Sequence, residues 1–137
     1  MKAFRTFAFL ALCATVAACQ TGAPDRNAGN SARVTGTVTY RERIALPAKA
    51  VVHVELSDVS RLDAPAVVLS ERDVTGAGQV PIPFELPYDE AAIDGRRAYA
   101  VRARINVDGR LIFKTETAVP VITRGNPTRI EIVLRPP

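Results

Sequence analysis

The sequence contains no tryptophan, one histidine, one methionine and two cysteines in 137 residues. Each scarcity narrows the possibilities. Aromatics amount to five Phe and three Tyr, so a core must rest mainly on Val, Ile and Leu, which favours strands. One His and two Cys leave no set of zinc ligands. Charge of a single sign is lacking too. Lys2 and Arg5 sit in a segment that reads as removed on maturation, leaving about 16 Lys+Arg against 14 Asp+Glu. A surplus of about +2 is too small to argue for nucleic acid or an acidic polymer. No apolar run reaches the roughly 20 residues that a spanning helix needs.

What is present begins with an address. Lys2 and Arg5 precede a short apolar run, Thr6 to Val16, and then Val16-Ala17-Ala18-Cys19. A basic start, a short apolar run, two small residues and a Cys make a bacterial lipoprotein signal. Small side chains at 17 and 18 suit a peptidase that cleaves just before Cys19. Cys13 is a poor alternative, because bulky Leu12 precedes it. The competing reading is an ordinary secretory signal cut after Ala18 or Ala23. In the lipoprotein reading Cys19 carries the lipid. Two or more acyl chains anchor stably where one does not, at about 0.8 kcal/mol per buried CH₂. Cys13 leaves with the signal, so no disulfide is left to hold the domain despite an oxidising envelope.

Residues 1–18 are thus expected to be signal peptide and 19–32 a lipidated N-terminus with a flexible tether. Gln20 to Ala32 has no large apolar residue and is dominated by Gly, Pro, Asn and Ser. Its mean reach is roughly 20 Å.

Residues 33–137 read as one all-β domain. Val34, Gly36, Val38 and Tyr40 alternate with polar neighbours, as do Val52, Val54 and Leu56. Such alternation puts one face on a core and the other in water. Val67-Val68-Leu69 reads as a short third strand. In Val80 to Tyr88 the apolar residues share one phase and Pro81, Pro83 and Pro87 the other, the mark of an edge segment. Asp89 to Asp94 reads as one helical turn with Asp89 as cap and Gly95 as stop. Tyr99, Val101, Ala103, Ile105 and Val107 form the cleanest inward stripe. Asp108-Gly109 predicts a tight hairpin into a strand from Arg110 to about Thr117, and Ile130, Ile132 and Leu134 mark the last strand. Seven or eight short strands with no long helix imply an antiparallel β-sandwich.

No catalytic constellation emerges. His53 has Glu55 and Asp58 nearby but reads as a solvent-side strand residue. Ser57, Ser60 and Ser70 lie in no nucleophile elbow. Asp89, Glu90 and Asp94 read as helix-end residues, and Asp58 and Asp63 as turn formers. Gly76-x-Gly78 precedes a strand, unlike a phosphate loop. No cofactor or metal is expected, and the protein reads as no enzyme. Arg102 and Arg104, with Lys114 on the paired strand, form a candidate ligand face for an anionic glycan or lipid. The plainer reading, which we prefer, is a solvated face balanced by Glu116.

Val34-Thr-Gly-Thr-Val-Thr-Tyr-Arg-Glu-Arg-Ile-Ala-Leu-Pro47, Val54-Glu-Leu-Ser-Asp-Val-Ser-Arg-Leu-Asp-Ala-Pro-Ala66, Pro81-Ile-Pro-Phe-Glu-Leu-Pro-Tyr88 and Tyr99-Ala-Val-Arg-Ala-Arg-Ile-Asn-Val-Asp-Gly109 resemble the YbaY/YscW-type lipoprotein family. The resemblance spans nearly all of residues 33–137. It implies a β-sandwich and a lipid anchor on Cys19, with no catalytic residue to carry over. It also implies a pilotin-like, chaperone-like protein-interaction module in the outer membrane, facing the periplasm, with the membrane and an envelope protein such as a secretin as partners. Gln20, rather than Asp, after the Cys is compatible with that membrane.

Overall fold

Alternation of period two becomes eight strands. The computed structural model describes residues 31–137; the signal segment, Cys19 and the tether up to Asn30 lie outside the described residues. The strands are β1 (Ser31–Tyr40), β2 (Ala50–Asp58), β3 (Val67–Thr75), β4 (Ile82–Asp89), β5 (Tyr99–Val107), β6 (Arg110–Lys114), β7 (Val119–Val121) and β8 (Arg129–Leu134). A three-stranded sheet in the order β4-β1-β8 accompanies a five-stranded sheet in which β3-β2-β5-β6 run side by side and β7 also pairs with β5. The domain is a β-sandwich, as the strand count implied.

The inward stripes are those of the sequence. Val34 and Val38 of β1, Val52, Val54 and Leu56 of β2, Ile82 and Leu86 of β4, Val101 and Ile105 of β5 and Ile132 of β8 are fully buried. Each such side chain contributes about 1.5–3 kcal/mol relative to exposure. The Asp108-Gly109 turn joins β5 to β6 with both residues at positive φ, 50° and 78°, the backbone that two-residue hairpins prefer. A bulge between Ile105 and Asn106 shifts the register of this pair. β6 ends at Lys114, short of Thr117, but the Thr115 side chain extends the ladder. Its Oγ1 accepts from the Ala103 N–H at 2.7 Å and donates to the Ala103 carbonyl at 2.8 Å.

β4 lies on an edge, where Pro83 and Pro87 need give up no ladder donor. Asp89 caps a single 3₁₀ turn at Glu90–Ala92, accepting from the Ala91 N–H. Gly95 is not its stop: Ile93, in extended conformation, already ends the turn.

Three features depart from the expected pattern. β1 pairs with β8 in parallel, whereas every other strand pair is antiparallel. β8 comes so close that a Cβ on Gly36 would overlap the Ile130 carbonyl oxygen, so only glycine fits here. Second, β3 runs on through Ser70-Glu71-Arg72-Asp73 to Thr75, far beyond the three apolar residues that suggested it. Val67 and Val68 at its start are exposed. Third, β1 begins at Ser31, before the alternation becomes legible at Arg33.

The two sheets are tied along one side. Lys114 at the end of β6 and Arg135 just after β8 exchange both backbone hydrogen bonds, at 2.8 and 2.9 Å.

Candidate functional site

Cys19, the expected lipid attachment residue, lies outside the described residues. The other candidate, the basic face, is assembled by β5 and β6. Directly paired residues point to the same side of a sheet. Arg104 stands opposite Lys114 on β6 and opposite His53 on β2, and Arg102 stands opposite Glu55. The structure therefore brings Arg102, Arg104 and Lys114 together on the outer face of the five-stranded sheet. They border a recess of about 280 Å³ that His53, Glu55 and Leu111 also line.

Glu116 does not balance this face. It pairs instead with Arg135, at 3.1 Å. Among the described residues none of Arg102, Arg104 and Lys114 forms an ion pair. Glu55, the nearest acid in register, turns towards His53. The three cations thus keep their charge unmatched beside a recess.

His53 departs from the solvent-side expectation. It is on the outer face, but its side chain is only 14% exposed. Nδ1 lies 2.6 Å from Asp73 Oδ1, so Nδ1 carries the proton in that bond. Nε2 faces Glu55 at 3.6 Å and Glu71 at 3.9 Å. The face is therefore polarised, with acids on β3 and at Glu55 of β2 and bases on β5 and β6. Sequence reasoning missed Glu71 and Asp73, because the run that contains them gave no sign of being a strand. Among the described residues no group of three or more His, Cys, Asp or Glu is placed to hold a metal ion.

Asp58 and Asp94 are structural. Asp58 accepts from the Ser60 hydroxyl at 2.6 Å, the Ser60 N–H at 2.9 Å and Arg97 Nη1 at 2.8 Å. These bonds, the Ser60 hydroxyl foremost, lower its pKa from 3.8 to about 2. Asp94 accepts from the Arg96 N–H at 2.9 Å and its pKa is also lowered, chiefly by that bond. Both acids brace the turns at the end of the sandwich where β1 begins.

Comparison with known proteins fits this architecture. Residues 29–134 match the family model described as type III secretion system lipoprotein chaperone (YscW). The chain belongs to this family. It is 36% identical to the uncharacterized lipoprotein YbaY of Escherichia coli K12, over 99% of this chain and 80% of that protein. It also resembles the solved structure of an alternative pilotin from the type II secretion system of Vibrio cholerae. There the identity is 46%, the TM-score 0.73, and the match covers 76% of this chain and 95% of the other. The family resemblance read from the motifs is thereby established, and with it the sandwich fold.

Proposed function

We propose that this protein is a non-enzymatic, pilotin-like lipoprotein of the outer membrane. Cys19 carries the lipid, and the domain faces the periplasm and acts by contact with an envelope protein of the secretin kind. The observation that carries this reading is the likeness to a pilotin at 46% identity over nearly the whole of that structure. In this reading residues 1–18 are removed, and 19–30 join the lipid to β1. The domain works as a rigid surface presented near a membrane. Deletion of the gene in a strain that encodes a secretin tests it: secretin multimers in the outer membrane should fall and return with the wild-type chain. Unchanged multimers would sink the reading. Cys19→Ser should abolish lipid labelling and move the protein to the soluble fraction; continued membrane fractionation of that variant would remove the anchor.

A second reading rests on the unmatched cations. Arg102, Arg104 and Lys114 beside their recess suit an anionic glycan or lipid headgroup. Binding to vesicles containing anionic lipid, or to anionic glycan, should be lost in Arg102→Glu/Arg104→Glu. Equal binding by the variant would dismiss this reading.

A further inference from the structure

An apolar recess of about 500 Å³ opens at the end of the sandwich where β1 finishes. Ile44, Ala45 and Pro47 of the β1–β2 connection wall one side; Val107, Ile112 and Phe113 of the β5–β6 hairpin wall the other. The walls are held in place. The Tyr40 hydroxyl donates to the Ile44 carbonyl at 2.9 Å, and the Tyr40 ring stacks flat on Phe113 with centroids 4.3 Å apart. Ile44 is nonetheless 56% exposed. Such a contour resembles the pre-formed apolar pocket in which a partner's anchor side chain is seated.

Two charged residues, Glu42 and Arg110, lie in this setting. Glu42 also lines the recess, and its Oε2 is buried without a hydrogen-bond partner among the described residues. A buried acceptor left unmatched is costly to the fold, and unmatched buried polar atoms are rare in native structures. Arg110 lines the same recess but forms no ion pair with Glu42. The negative charge is felt nearby: burial first, and then the Glu42 charge, raise the pKa of the Tyr40 phenol. The missing element is a donor, and a cationic one matches the carboxylate best.

Position selects the occupant. β1 has ten residues, so at about 3.3 Å each the recess lies roughly 30 Å from Ser31, where the chain leaves towards Cys19. A lipid on Cys19 would join the domain at the Ser31 end, at the far end of β1 from this recess. We propose that the recess is the docking surface for a segment of a partner protein. The segment seats a large apolar side chain against Ile44 and Phe113 and donates from an adjacent Lys or Arg to Glu42. The proposal rests on the pilotin-like reading in taking the partner to be an envelope protein.

The test uses the full lipidated chain in its own cells. A photoreactive amino acid replaces Ala45, an exposed residue of the recess wall, or, separately, Val68, an exposed apolar residue on β3. Crosslinked peptides are mapped by mass spectrometry with Glu42 intact and with Glu42→Met. The expected result is an adduct from position 45 whose peptide carries Lys or Arg beside a large apolar residue. It should fall at least about tenfold in Glu42→Met, while the melting temperature of that variant stays equal or rises because an unmatched acceptor has gone. An adduct insensitive to Glu42→Met, a peptide without a basic residue, or a lowered melting temperature accompanying the loss would overturn the proposal. Adducts from position 68 alone would overturn this surface and leave the protein-partner reading standing. Absence of adducts at both positions would overturn both.

Discussion

Asp58 offers the sharpest quantitative check on the fold. It ends β2, and its carboxylate binds Ser60 and Arg97, fastening the loop after β2 to the turn before β5. The side chain is 8% exposed. In the unfolded chain the carboxyl takes up its proton near pH 4; in the folded protein it stays ionised down to about pH 2. A folded pKa that is depressed stabilises the native state above the unfolded pKa, and that contribution fades as pH falls through the folded value. The gap between 3.8 and about 2 corresponds to roughly 2 kcal/mol at 1.36 kcal/mol per pKa unit. Arg97 is 56% exposed, so solvent screens its share and about 1–2 kcal/mol is expected. Asp58→Asn keeps the shape and removes the charge. At pH 7 it should lower stability in urea by about 1–2 kcal/mol, or roughly 5–10 °C in Tm. At pH 2 the difference should shrink to a few tenths of a kcal/mol. Hydrogen bonding to Arg96 also holds the Asp94 carboxyl below its ordinary value, so the difference between wild type and variant is the quantity to read. A gap of equal size at pH 7 and pH 2 would refute the assigned network.

Ile105→Asp should abolish cooperative unfolding, because it places a charge at a position with no exposure, whereas Arg104→Ala on the opposite face should change stability by less than about 0.5 kcal/mol; equal melting temperatures would refute the register of β5. Gly36→Ala should destabilise by about 1–3 kcal/mol or more, since the added Cβ meets backbone of β8 that cannot swing aside; a melting temperature within a degree of wild type would show that β8 is not pressed against β1.

Strands that lie between a core and water were legible, because burial on one face imposes period two. β5 is the clearest case, with Arg102 and Arg104 exposed between Val101, Ala103 and Ile105. The edge position of β4 was legible for a chemical reason, the missing N–H of its prolines. β3 was not. Its middle, Ser70 to Asp73, is largely exposed, so neither phase is apolar and no alternation appears. Charge on an edge strand has its own use, since it discourages pairing with another chain. The parallel β1–β8 pair was beyond local reading, because nothing in either strand specifies the direction of a partner about ninety residues away. The sole local trace is Gly36, which interrupts an otherwise β-branched and aromatic run. The basic face was legible as an alternating stripe, but the lack of a counter-charge was not. That depended on Glu116 turning to Arg135 and Glu55 to His53. Glu42 carried no signal at all. It is one acid between two arginines in a turn, and only the folded chain shows one of its oxygens cut off from water.

These placements separate two kinds of unmatched charge. Arg102, Arg104 and Lys114 are surface cations, and water screens them. Leaving them unpaired is cheap, which makes them weak evidence for any single ligand. Glu42 Oε2 is cut off from water, so its lack of a donor is a standing penalty on the free protein. Met or Leu in place of such a group at the mouth of an apolar recess is expected to leave the free protein at least as stable. Stability alone therefore gives no reason for the acid. A partner that brings the donor does, because the penalty then becomes a preference for the right segment: an apolar segment without the donor leaves the acceptor stranded. The recess lies at the opposite end of β1 from the strand's start at Ser31. In the proposed reading, a lipid at Cys19 and a protein segment at Ile44 and Glu42 would therefore not compete for one surface.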